Sequence, residues 1–232
     1  MTELWPLALA SLIFVFGHLI LSSKGPRAFL VRSIGEGPFL GLYSVVAGAA
    51  LAGMIWAFNT LPYGAPLWLF YPAGYYVAII LMPIALVLIV GGYSQKNPTA
   101  VGQDRALRRT PAGVLRITRH PIMWGVSLWA IGHLLANGDT ASVLFFGAFL
   151  VLALAGTVAI DRKKRRAHGE VYDGFCEQTS NLPFLAIARG RQSFGAAARE
   201  FGPWRLVIVV VAYGVLLHFH QWAFSVPPYP GL

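Results

Sequence analysis

The chain is poor in cysteine, in acidic residues and in charge of any kind. A single cysteine, Cys176, among 232 residues excludes an intrachain disulfide framework and any metal site built from several thiolates. Charged residues make up only 12% of the sequence, about half the share usual in soluble domains. No Asp or Glu falls deep in an apolar run, which argues against zinc, whose sites want three or four ligands and often include a carboxylate. There is no low-complexity stretch and no nucleic-acid recognition module, so the net charge of +9 implies no nucleic-acid partner. The first apolar run lacks both a basic leader and a small-residue cleavage site, and is expected as a retained helix.

What the chain has instead is hydrocarbon. It is 56% hydrophobic with a mean hydropathy of +0.62. Apolar runs at about residues 4–21, 39–61, 75–90, 122–136, 141–160 and 206–224 approach or meet the roughly 20 residues that cross a bilayer, the fourth being short. The fold class expected is all-α, a polytopic membrane helix bundle of about six transmembrane helices in one domain, residues 1–232. The 18 Lys and Arg residues cluster after the first, third and fifth runs and are missing from the other connections. By the positive-inside rule, segments of about 22–38, 91–121 and 161–205 face the cytoplasm of an inner membrane, and both termini lie outside. The basic residues would then touch anionic membrane lipid. The tight Asn137-Gly138-Asp139 turn joins the fourth and fifth runs as a hairpin, and apolar positions such as Val171, Tyr172, Phe175, Leu182 and Phe184 predict an amphipathic segment on the inner leaflet.

The tripeptide Gly-His-Leu occurs twice, as Gly17-His18-Leu19 and Gly132-His133-Leu134, both inside apolar runs. An imidazole in hydrocarbon needs a partner, and ionisable groups there mark candidate functional sites. Gly17 and Gly132 would let a flat group approach the backbone. His120 at the inner end of the fourth run and His220 in the last one, with His218 nearby, add to the set. A hydrogen-bonded packing role accounts for any one of these; together they point to a site. A haem needs only one or two imidazoles and an apolar slot, so on ligand supply haem is favoured. Arg119-His120-Pro121 forms a second constellation: proline suits the first turn of a helix, and the Arg and His before it could hold anionic groups such as propionates. Arg116 reads equally well as an anchor at lipid headgroups.

Phe16-Gly17-His18, Arg119-His120-Pro121 followed by His133, and His220-Gln221-Trp222 resemble the NnrU family, which includes the zeta-carotene isomerase of carotenoid synthesis. The resemblance covers nearly the whole chain. It implies an integral membrane protein carrying haem b, with His18 and His133 matching the proposed axial ligands, and an activity either as a redox-dependent cis-trans isomerase of a polyene or in denitrification. The partner would be a lipophilic small molecule or nitric oxide, with the electron donor unspecified. The chain departs from the family pattern after His220, where His-Pro is usual. Depth also strains the implied pair. At about 1.5 Å per residue His18 lies about 20 Å below the outer boundary and His133 about 5 Å below it, so His133 with His220, or His18 with His120, matches more easily. Tilt of about 20° narrows the gap, so His18 with His133 stays the first expectation for the ligands and His120 and His220 the alternates.

The same region resembles the isoprenylcysteine and phospholipid methyltransferases, which use S-adenosylmethionine. Arg119-His120-Pro121, Gly169-Glu170-Val171-Tyr172 and Pro183 have counterparts there, but the Glu-Glu pair of those enzymes is replaced by Asp161-Arg162-Lys163-Lys164-Arg165. A scaffold that has lost the methyltransferase chemistry is the favoured inference. A non-enzymatic haem sensor or assembly factor is the remaining class. An isomerase would need a lipophilic cavity open to the bilayer, and Tyr75, Tyr76, Trp129, Phe145 and Phe146 are candidates to line it.

Overall fold

The computed structural model describes residues 2–231. Among these there is no strand, and the elements are helices: α1 (Trp5–Ser22), α2 (Lys24–Ile34), α3 (Glu36–Thr60), α4 (Ala73–Ser94), α5 (Pro121–Ala136), α6 (Thr140–His168), α7 (Glu170–Gln178), α8 (Leu185–Ala188), α9 (Phe194–Phe201) and α10 (Pro203–Phe224). Five of them, α1, α3, α4, α6 and α10, are long and apolar enough to cross a membrane; α5 is apolar but shorter. At about 1.5 Å per residue α5 covers about 24 Å of a hydrocarbon core of about 30 Å. The protein is thus a polytopic membrane helix bundle.

Local chemistry sets the ends of these helices. Pro121 and Pro203 open α5 and α10 at positions where an intrahelical N–H has no acceptor anyway. Gly202, at φ +79°, makes the corner into α10 that a residue with a Cβ would resist. The Asp139 carboxylate accepts from the Ser142 N–H and caps α6, so the turn between α5 and α6 is the expected hairpin.

Two of the connections expected from the sequence are themselves helical. The segment after α1 folds as α2, with no buried residue. The run Arg162–Arg166 continues α6 to His168, because Lys and Arg propagate a helix well and their charge complements its C-terminal dipole. The amphipathic segment beyond is broken into α7, α8 and α9. Tyr172 and Phe175 are buried with Leu107, whereas Val171, Leu182 and Phe184 stay exposed.

Packing runs as an arc. The helix α3 contacts α1 and α6, α6 contacts α5, α5 contacts α4, and α4 contacts α10. No comparable packing joins α10 back to α3 among the described residues. Leu7, Phe14, Met54, Phe145 and Phe146 form the core where α1, α3 and α6 meet. Small residues bring α4 and α5 into close contact: a Cβ on Gly125 would fall 2.5 Å from Ile89 Cγ1 and 2.9 Å from the Ala85 carbonyl oxygen. Pro83 interrupts the hydrogen-bond ladder of α4. The carbonyl it leaves without its usual donor, that of Ile79, instead accepts from Tyr213 Oη on α10 at 2.9 Å.

Candidate functional site

The concave side of the arc encloses a cavity of about 560 Å³, within the about 300–1,000 Å³ typical of sites that enclose a small molecule. Helices α3, α4, α5, α6 and α10 all line it. Of the aromatics expected there, Tyr75, Trp129, Phe145 and Phe146 are on the wall, while Tyr76 lies off it and is exposed. The wall carries no Lys or Arg. Its polar groups, including Asn59, Tyr63, Tyr75, Asn137 and the carboxylate of Asp139, belong to the end opposite the basic loops, and the other end is lined by Ala85, Leu86 and Ile89.

His133 and His220 both line this cavity. Each uses Nδ1 to donate to a backbone carbonyl, His133 to Trp129 at 2.8 Å and His220 to Val226 at 2.8 Å. That bond selects the tautomer with a bare Nε2 lone pair, the form that ligates a metal. The His133 ring is further held by stacking on Phe146, 4.8 Å between centroids at 24°, and by Trp129 at 5.1 Å.

His18 lies elsewhere. It donates through Nδ1 to the Phe14 carbonyl at 2.7 Å and lines a shallow recess between α1 and α3 with Gly17 and Tyr43. A chain of ring contacts through Phe14, Phe149 and Trp129 links it to His133, but the two do not share a cavity. Gly17 borders that recess, with only Val46 near the place of a Cβ. Gly132 instead faces α4, where a Cβ would meet Met82 Cε at 2.8 Å and Ala78 Cα at 3.3 Å. Its lack of a side chain serves helix packing.

The Arg119-His120 constellation forms a separate polar cluster at the basic end. Asp161 is its hub: the carboxylate accepts from Arg119 Nε at 3.0 Å and Nη2 at 2.5 Å, from His120 Nε2 at 2.6 Å and from Tyr172 Oη at 2.5 Å. His120 is 1% exposed, and burial pushes its imidazole toward the neutral form. With Nε2–H given to Asp161, its Nδ1 is left without a partner. Burial, reinforced by the bond to Asp161, pushes the Tyr172 phenol far above its usual range and keeps it a donor. Arg119 is thus committed to Asp161 and does not line the cavity. Arg116 forms a bidentate pair with Glu200 at 2.8 and 2.7 Å, and Glu200 also accepts from the Gly113 N–H.

Asp161 and Glu200 were not singled out from sequence as partners. Asp161 is a single carboxylate followed by five cations, any of which could be its partner by sequence, although its place at the end of an apolar helix is a usable signal. Tyr172 is visible in the Gly169-Glu170-Val171-Tyr172 segment, but not its contact with Asp161.

Comparison with known proteins finds one family model over nearly the whole chain and relatives over about a third of it. The family model described as NnrU protein matches residues 6–228. Over 80 residues the chain is 36% identical to the 15-cis-zeta-carotene isomerase, chloroplastic, of Arabidopsis thaliana, and equally to that of Zea mays. Those matches cover 34% of this chain and only 22% of each relative. No solved structure matches.

Proposed function

The chain belongs to the NnrU family, and on that premise we propose that it is a membrane haem b protein of the carotenoid isomerase type, acting on a lipid-dissolved polyene. The observation that carries this reading is one apolar cavity lined by both His133 and His220, each with Nδ1 engaged by a backbone carbonyl so that Nε2 is the bare ring nitrogen. The donor set suits haem: two imidazoles in the metal-binding tautomer, aromatic walls, and neutral donors at one end, where the one lining carboxylate, Asp139, is already engaged by the Ser142 N–H and hydroxyl as the cap of α6. His133 and His220 are the residues that would hold it, with Tyr63, Tyr75 and Asn59 available to its carboxylates. When bound, the haem supplies the electronic chemistry of bond-order change in a polyene.

The chain's own residues do the rest. The bonds from Nδ1 to Trp129 O and Val226 O fix the imidazole orientation, and Phe146 restrains the His133 ring. The apolar wall excludes water and leaves the Ala85, Leu86 and Ile89 end for hydrocarbon. The Asp161 cluster anchors the start of α5, and hence His133, from outside the cavity. We place the protein in an inner membrane with its basic end cytoplasmic.

The test is a visible spectrum of detergent-purified protein, oxidised and reduced, with a pyridine haemochrome assay and a chromatographic assay of polyene isomers. About one haem b per chain supports the reading. His133→Ala and His220→Ala should alter or abolish the spectrum, and His18→Ala should leave it. If His18→Ala empties the site while His220→Ala leaves the spectrum intact, the ligands are His18 and His133. Absence of haem after reconstitution sinks the haem reading. Haem with nitric oxide binding and no isomerisation would move the function to nitrogen-oxide chemistry.

A further inference from the structure

The arc of helices has two ends, α3 and α10, and both line the cavity although among the described residues they are not extensively packed on one another. Each of these two helices carries an apolar residue that both lines the cavity and is exposed on the outside: Ile55 on α3, 44% exposed, and Leu216 on α10, 48% exposed. At the polar end the cavity is covered by Val226, Pro227 and Pro228. That strap is tied down twice, by His220 Nδ1 donating to the Val226 carbonyl and by Tyr71 Oη donating to the Gly231 carbonyl at 3.0 Å. The polar end is therefore bordered by a strap that is held in place, whereas α3 and α10 are not packed on one another.

We infer that the gap between α3 and α10 is a lateral portal through which an uncharged, extended polyene enters from the bilayer. This rests on the reading of the cavity as the binding site, and adds the route and the residues that control it. The occupant follows from the surface it must cross. An anion would find no Lys or Arg on the wall, a cation would find only the Asp139 carboxylate that already caps α6, and a compact polar ligand would have to pass Ile55 and Leu216 without a hydrogen-bond partner. An extended chain also matches the shape: the wall follows α4 from Tyr75 to Ile89, about 21 Å at about 1.5 Å per residue. Because α10 is held chiefly by α4, its outward movement widens the portal without disturbing the core between α1, α3 and α6.

The single native cysteine makes the test direct. In a Cys176→Ser background, Ile55→Cys and Leu216→Cys are introduced together and bridged with a flexible bifunctional methanethiosulfonate that reductant removes. The probe is all-trans-retinol in phosphatidylcholine vesicles, read by energy transfer from tryptophan, the cavity component being the part lost in Trp129→Phe. Bridging should slow uptake by about tenfold or more, and reduction should restore it. A single Ile55→Trp variant, which narrows the gap without a cross-link, should slow uptake in the same direction. Equal uptake before and after bridging, with Ile55→Trp also unchanged, overturns the portal and leaves the cavity reading standing. If the native protein gains no Trp129-dependent signal at all, the cavity reading fails and the portal with it.

Discussion

Pro83 and Tyr213 should be energetically coupled, although they lie on different helices. Pro83 has no N–H, so the Ile79 carbonyl in α4 loses its helical donor, and Tyr213 Oη supplies one from α10 at 2.9 Å. Tyr213→Phe removes that donor and nothing else of comparable size. An acceptor left unpaired in an apolar setting costs about 1–3 kcal/mol, and hydrogen bonds between membrane helices fall at the lower end of such values, about 0.6–1.7 kcal/mol. About 1 kcal/mol is therefore expected, which for a chain of this size is a fall in Tm of about 2–4 °C. Pro83→Ala restores the N–H that bonds Ile79 within α4, so in that background Tyr213→Phe should cost almost nothing. The assay is thermal unfolding of the four proteins of the cycle in one detergent, followed by far-ultraviolet circular dichroism. The coupling free energy isolates the pair, since other effects of removing proline cancel between the two legs. An equal penalty for Tyr213→Phe in both backgrounds refutes the argument.

Asp161→Asn leaves Arg119 without its countercharge and should destabilise the protein by about 3–5 kcal/mol, seen as a large drop in Tm or loss of soluble expression in detergent. The Glu200 carboxyl is held below its usual range, first by its hydrogen bond to Arg116. Its folded pKa is thus lower than its unfolded one, so the stabilisation is complete above about 4.3 and is lost as pH falls through the folded value; unfolding measured between pH 3 and 6 should show Glu200→Gln lacking that part of the pH dependence. Gly125→Ala places a methyl against Ile89 and the Ala85 carbonyl and should cost about 1–3 kcal/mol, whereas Gly41→Ala in α3, with nothing near its Cβ, should be neutral or stabilising by about 0.4–1 kcal/mol. A comparison of their Tm values checks the packing of α4 on α5.

The helix content and the spans were legible because apolar length is a local property. Residues 75–90 and 141–160 announce themselves without reference to any neighbour. The boundary of α6 was less legible, since Arg162–Arg166 are as compatible with a basic loop as with the last turns of a helix, and the choice depends on Asp161 and Tyr172 packing beneath them. The candidate histidines were visible for the same local reason as the spans: a titratable ring in hydrocarbon stands out. Their grouping was not. His18 and His133 share a tripeptide, and both donate Nδ1 to the carbonyl four residues earlier, a bond that helix geometry alone provides. Which cavity each Nε2 meets depends on the rotation and neighbours of its helix.

From its residues alone this protein is a basic-ended membrane bundle with imidazoles in its spans, because hydropathy, charge asymmetry and the cost of burying a ring are all read along one chain. The tertiary structure decided that Arg119 and His120 serve Asp161, that Gly132 serves α4, and that His133 meets His220 on the wall of one cavity. Those outcomes rest on contacts between helices far apart in sequence, and in a membrane such contacts are set by small-residue packing and by pairing of polar groups, neither of which leaves a periodic trace in the order of residues.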